Sequence, residues 1–346
     1  MSSSKQTPLE AFLNGHDDAA WREVVAGLLP SIHEVDRTAT QIWFHFFPVA
    51  LLRAFEASED RAKLAQELLM QGKWYLKDQL DSSHTFLYGY RFWPEVKRVI
   101  VRLAEQETMP MTRALAGVVG EVARMVAAER KVEESLVMGI AAVGLMALQQ
   151  VGLEEFERTP GEVLIDRKHL RRTPDEILRE RARDDSQGLF GFLRTSDRQW
   201  TVVWDENKDD RRFHAVNSQE VASAAATDKR PWHEQDPRCT VDEGPIPVQC
   251  RSASCGTCWV GVLGGAEKLS ETDWRERKMM PLFGYIETDE TRPLIRLSCQ
   301  ARTGGAVSVV VPPWNGYLGK YLKREQGQAS DENGQASEES SETVAG

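Results

Sequence analysis

Cys250-Arg-Ser-Ala-Ser-Cys255-Gly-Thr-Cys258 sets three thiols within nine residues at C-x4-C-x2-C spacing, and a fourth follows at Cys299 in Arg296-Leu-Ser-Cys-Gln. These four constrain the fold more than any apolar pattern does. The first three must close into a tight loop, and the fourth must be carried to that loop from the end of an expected strand. The spacing is that of a [2Fe–2S] cluster, with two thiolates on each iron. Small residues between the ligands leave backbone N–H groups free to point at sulfur, which stabilises negative charge there. Two other readings stay open on the residues alone. Four thiols can bind tetrahedral zinc, although such sites usually pair two C-x2-C-like knuckles rather than three ligands plus one. Four reduced thiols without any metal are the third reading. The fifth cysteine, Cys239, lies outside the spacing and reads as a bystander.

Composition narrows the classes around this loop. The 346 residues are long enough for two or three domains, and 41% hydrophobic with 28% charged residues suits a soluble globular protein. The formal charge of −10 disfavours a nucleic-acid binder held by phosphate contacts. Apolar stretches such as Ile140–Leu148 are too short to span a bilayer. Met1-Ser-Ser-Ser-Lys lacks the apolar core of a secretory signal, so a cytoplasmic location is expected.

Residues 7–155 repeat apolar side chains at helical spacing, which predicts an all-α bundle. Helices are expected over 17–29, 31–47, 58–80, 94–106, 112–130 and 132–151, with N-caps at Ser58 and Thr173 and a stop at Gly152. Residues 156–199 read as a charged connector with one short helix, and its basic run Arg167-Lys-His-Leu-Arg-Arg as a solvated face. From Trp200 the period becomes that of strands. A hairpin is expected over 200–216, an Ala-rich helix capped by Ser218, strands at 259–263, 294–297 and 307–311, and a helical stretch near 273–280. That predicts a small α+β domain over 200–316. Residues 325–346 hold six acids and no bases, and read as a disordered acidic tail.

The segment Gly244-Pro-Ile-Pro-Val-Gln-Cys250 with its cysteine loop, then Arg296-Leu-Ser-Cys299-Gln and the strand at 307–311, resembles the [2Fe–2S] ferredoxin family. The resemblance covers residues 200–316, about a third of the chain. It implies a β-grasp domain, one-electron transfer, and Cys250, Cys255, Cys258 and Cys299 as the ligands of a [2Fe–2S] cluster. Two departures stand out. Ala253 occupies a loop position where the family often has Gly; a positive φ there would cost Ala about 1 kcal/mol. The stretch between Cys258 and Cys299 is also longer than in plant ferredoxins.

No further cysteine set for additional clusters and no G-x-G-x-x-G loop after a strand is present, so neither a multi-cluster subunit nor a self-contained nicotinamide or flavin reductase is expected. In the helical half, His33 and Asp36 lie one turn apart and could share a face with Thr40, but the Glu-x-x-His motif of di-iron bundles is missing. His45 sits in Trp43-Phe-His-Phe-Phe and reads as packing. Ser82–Trp93 gathers five aromatics with His84 and Arg91 around Gly89, which suits either a filled helix corner or a pocket. The resulting expectation is an electron carrier serving a redox partner protein, a reductase or a terminal oxidoreductase. Its helical domain would then dock partners or form a homo-oligomer. The alternative is an enzyme or redox sensor whose helical domain binds a substrate or second cofactor.

Overall fold

The computed structural model describes residues 6–67, 75–106, 114–183, 198–281 and 290–312. The helices are α1 (Pro8–Asn14), α2 (Asp18–Leu28), α3 (Glu34–Phe46), α4 (Val49–Ala57), α5 (Arg61–Glu67), α6 (Trp93–Ala104), α7 (Leu115–Arg130), α8 (Ser135–Val151), α9 (Leu153–Arg158), α10 (Arg167–Leu170), α11 (Pro174–Arg181), α12 (Val221–Ala225) and α13 (Trp274–Met279). The strands are β1 (Gln199–Val203), β2 (Arg212–Val216), β3 (Trp259–Gly264), β4 (Ile295–Leu297) and β5 (Val307–Val310). A helical half thus precedes a mixed five-stranded sheet, as the change of period at Trp200 predicts. The acidic tail at 325–346 and the end of the expected ferredoxin-like domain at 313–316 lie outside the described residues, as does much of the connector.

Helix α8 is the axis of the first half. It carries Ile140, Val143, Leu145 and Leu148 without exposure, and α1, α3, α6 and α7 pack around it. Its glycines permit close approach: a Cβ on Gly144 would stand 2.7 Å from Ile100 of α6, and one on Gly139 would collide with Thr40 of α3. The helix ends at Gly152, with φ 77°, as the sequence predicts. Thr173 forms a full capping box with Glu176. Elsewhere the boundaries move. Asp60 rather than Ser58 accepts from the first turn of α5, and Ser218 adopts φ 66° ahead of α12, where Glu220 is the N-cap.

The sheet order is β2-β1-β5-β3-β4. β1 pairs antiparallel with β2 through the expected hairpin and parallel with β5, while β3 lies antiparallel between β5 and β4. β3, β4 and β5 are buried nearly throughout, so no alternation of apolar and polar residues marks them.

One cover of that sheet comes from the helical half, which the sequence does not foretell. A Cβ on Gly261 of β3 would lie 2.6 Å from Ile42 of α3, and one on Gly264 would lie 2.7 Å from Arg181 of α11. Arg181 donates to the Val35 carbonyl of α3 at 2.7 Å and pairs bidentately with Glu206, which also accepts from Ser308 of β5. The basic run keeps Arg167, Lys168 and Arg171 exposed, as a solvated face would, but His169 is buried, and Arg91 donates to the carbonyls of Leu170 and Arg172. A fragment starting at residue 198 should therefore lose cooperative folding, because β3 loses its cover and Glu206 loses Arg181. Size-exclusion chromatography and thermal melting check this; a soluble, sharply melting fragment would show that the helical cover is dispensable.

Candidate redox centre

The β3–β4 ladder brings Cys258 and Cys299 close to each other. Cys258 immediately precedes β3, and Cys299 follows β4 by one residue. The antiparallel register pairs Trp259 with Leu297, and the Ser298 N–H donates to the Cys258 carbonyl at 2.9 Å. Ligands far apart in sequence thus become neighbours through ordinary strand pairing. Behind them Glu276 of α13, fully buried, accepts two hydrogen bonds from Arg296 at 2.9 Å each and one from the Leu297 N–H at 2.8 Å. Helix α12 closes another side, its Ala222 N–H donating to the Ser298 carbonyl at 2.9 Å. Gly244 turns the chain against the end of that helix with φ 80°, where any Cβ would collide with the Ala225 carbonyl.

The loop from Cys250 to Cys258 winds through left-handed backbone at Arg251 (φ 51°), Ala253 (φ 60°) and Gly256 (φ 69°). Ala253 thus takes the positive φ that the family's glycine would take freely, at a cost of about 1 kcal/mol. Its methyl is buried in the core beneath the loop. The winding turns backbone donors inward. The N–H groups of Ser252, Ser254 and Cys255 point at Cys250 Sγ, at 3.4, 3.4 and 3.3 Å. Side chains add more: Thr257 Oγ1 lies 3.1 Å from Cys255 Sγ, and the Gln300 amide donates to Cys299 Sγ at 3.3 Å.

The four thiols influence one another, Cys250 with Cys255 and Cys299, and Cys258 with Cys299 and Cys255. Cys250 and Cys255 are half-buried, and Cys258 and Cys299 are buried. Burial pushes Cys250 up, but hydrogen bonds from Ser254, Ser252 and Cys255 outweigh it and bring the thiol down to about 6. Burial raises Cys255. The hydrogen bond from Cys258 lowers Cys299 to about 7, and the same bond raises Cys258. Burial pushes Cys239 up to about 12. Among the described residues, no three His, Cys, Asp or Glu side chains converge on one point as ligands of a single ion.

N–H donors converging on a sulfur suit the negative charge of a sulfur-rich cluster.

The other candidates scatter through the helical half. His33 caps α3, its Nδ1 accepting from Val35. Asp36 is wholly buried and accepts from the N–H groups of Tyr88 and Gly89 at 2.5 and 2.7 Å, so it pins the Ser82–Trp93 corner rather than joining His33. His84 packs edge-on against Trp93 and Tyr90, with Nδ1 3.2 Å from Ser83 Oγ. Arg91 lies 3.4 Å above the Tyr88 ring. That corner is a packed joint, and its only sequence signal was the density of aromatics.

Burial lowers His84 to about 3 and His45 to about 4, while it raises Asp36 to about 6. His84 and His45 stay neutral in the folded chain but protonate near 6.5 when unfolded, so stability falls as pH drops below 6.5. Asp36 has the opposite sign, since its folded form takes up a proton first between about 6 and 3.8. The destabilisation caused by His84→Gln should therefore shrink by about 3 kcal/mol between pH 7 and pH 4, at 1.36 kcal/mol per pH unit. Urea unfolding of both proteins across that range checks it; a constant difference would show that His84 is protonated in the fold.

No family model matches this chain, and no curated protein or solved structure matches it either.

Proposed function

We propose that the chain is a one-electron carrier whose C-terminal half holds a [2Fe–2S] cluster on Cys250, Cys255, Cys258 and Cys299. The observation that supports the reading is the convergence of three backbone N–H groups on Cys250 Sγ, in a loop beside which the β3–β4 ladder sets Cys258 and brings Cys299 close. The sheet order 2-1-5-3-4, with β1 parallel to β5 and a helix after the first hairpin, supports a β-grasp domain of the ferredoxin type.

When bound, the cluster supplies reversible one-electron chemistry, at a potential on the order of −400 mV if it behaves as plant-type centres do. The chain's own residues do the rest. Cys258 and Cys299 are locked by the β3–β4 ladder, which limits rearrangement when the charge changes. The hydrogen bonds to Cys250 Sγ offset the added negative charge. Cys250 and Cys255 are the ligands nearest solvent, so an electron would enter and leave on that side.

The helical half supports the sheet and offers a docking or self-association surface in a cytoplasmic protein. No helix among the described residues is long and apolar enough to cross a membrane. The expected partner is a reductase or terminal oxidoreductase. The packed Ser82–Trp93 corner supports this reading over one in which the helical half holds a substrate or second cofactor. Protein purified anaerobically should carry two irons and two labile sulfides per chain, with a visible spectrum bleached by dithionite. A colourless protein containing stoichiometric zinc would overturn the proposal.

A further inference from the structure

We propose that the side-chain amide of Gln300 raises the reduction potential of the centre by donating a hydrogen bond to Cys299 Sγ. The inference rests on the iron–sulfur reading and adds a positioning residue to it. Gln300 Nε2 lies 3.3 Å from that sulfur and 2.8 Å from the Cys299 carbonyl oxygen, with the Arg251 carbonyl oxygen at 3.5 Å. A primary amide carries its donors on nitrogen and only acceptor capacity on oxygen. Carbonyl oxygens and a ligating thiolate are acceptors alone, so the nitrogen, not the oxygen, must face all three. The neighbours therefore fix which end of the amide meets the sulfur.

The backbone beneath it is fixed as well. The Leu297 carbonyl accepts from the N–H groups of Gln300 and Ala301 at 2.9 Å each, which closes a turn directly after β4. Helix α12 braces both sides of that turn. Its Ala222 N–H donates to the Ser298 carbonyl and its Val221 N–H to the Ala301 carbonyl, at 2.9 Å each. The donor is thus held by the same elements that hold Cys299, and it needs little reorganisation when the charge on the sulfur changes. The N–H groups on Cys250 Sγ belong to the backbone and survive any side-chain change. The donor on Cys299 is a side chain and can be removed.

Reduction adds one electron from a reduced partner protein to the cluster, with no bond made or broken. The added negative charge spreads onto the ligating sulfurs. A hydrogen bond to sulfur is stronger in that state than in the oxidised one, because charge on the acceptor strengthens it. The Gln300 bond thus favours reduction and lifts the potential.

Potentiometric titration of the iron-loaded full chain, followed by electron paramagnetic resonance, tests this. In Gln300→Leu the ratio of reduced to oxidised cluster at a fixed solution potential should fall at least threefold. That is a shift of about 28 mV to more negative values, at about 59 mV per tenfold. Gln300→Glu keeps the shape and exchanges the donor for an acceptor. At mildly alkaline pH, where its carboxyl is ionised, it should shift further in the same direction. A role in shape alone would leave the Glu variant at the wild-type potential. Gln300 and Cys299 both line a cleft of about 420 Å³, so neither new side chain is forced into the core. Iron per chain and melting temperature verify that for each variant. If both variants lose their iron, glutamine amides labelled with the heavy nitrogen isotope decide, in a Gln249→Ser background that removes the glutamine next to Cys250. Pulsed resonance of the reduced cluster should show coupling to that nitrogen, and no coupling overturns the proposal. A wild-type potential in iron-loaded Gln300→Leu or Gln300→Glu also overturns it, while the iron–sulfur reading stands. A wild-type chain without iron and labile sulfide removes that reading, and the role of Gln300 with it.

Discussion

Serine in place of Cys258 or Cys299 should abolish the iron–sulfur spectrum, whereas Cys239→Ser should leave it unchanged. The difference follows from where each sulfur sits. Cys258 and Cys299 are buried at the paired ends of β3 and β4, so a shorter, harder oxygen ligand would have no slack with which to reach iron. Cys250 and Cys255 lie in the half-exposed part of the loop. Serine at those two positions should leave a weakened centre with an altered resonance and lower iron content. Cys239 lies outside the C-x4-C-x2-C spacing, and burial holds its proton. Iron per chain and electron paramagnetic resonance of the reduced variants measure all five. An unaltered signal in Cys299→Ser would falsify the ligand assignment.

The cysteine loop and the strand after it were legible in the sequence because their determinants are local. The C-x4-C-x2-C loop, the glycine at Gly256 and the strand that starts at Trp259 all lie within a few residues of one another, and spacing alone reports them. The hairpin was legible for the same reason, with alternating residues on each side of a polar turn. What joins distant segments left little trace. Gly261 and Gly264 in β3 are ordinary glycines in sequence; only in the fold do they become the places where Ile42 and Arg181 press against the strand. The boundary near residue 200 marks a change of period, and period says nothing about which face of a sheet another segment covers.

Polar residues hid some contacts for a related reason. The run Arg167-Lys-His-Leu-Arg-Arg has the composition of a solvated face and keeps Arg167, Lys168 and Arg171 exposed, yet its carbonyls receive Arg91 and its His169 is buried. A buried charge is tolerable only beside its partner, and the partners here are supplied by residues far away in the chain. Asp36 reads as one member of a His-Asp face on α3, and its real partners are the backbone amides of Tyr88 and Gly89.

The strongest such case is Arg296, which leads to the second large effect. It is 1% exposed, and its guanidinium donates to both oxygens of Glu276, itself 0% exposed. Arg296→Met should destabilise the protein by about 3–5 kcal/mol, because it strands the Glu276 carboxylate in the interior with its counter-charge gone. The loss should reach the redox centre. Glu276 also accepts from the Leu297 N–H, two residues before Cys299, so a displaced carboxylate frees the strand end that presents the ligand. Denaturant unfolding should show the stability loss, and the reduced resonance should broaden in those molecules that still hold iron. Arg296→Met combined with Glu276→Leu separates charge from shape. Removing both charges should recover most of the stability, since apolar replacement of a whole buried pair is often neutral or better. The recovery should stay incomplete by about 1–3 kcal/mol, the cost of leaving the Leu297 N–H without an acceptor. If the double variant is no more stable than Arg296→Met, the pair acts through packing alone, and Cys299 is held by the β3–β4 ladder without help from α13.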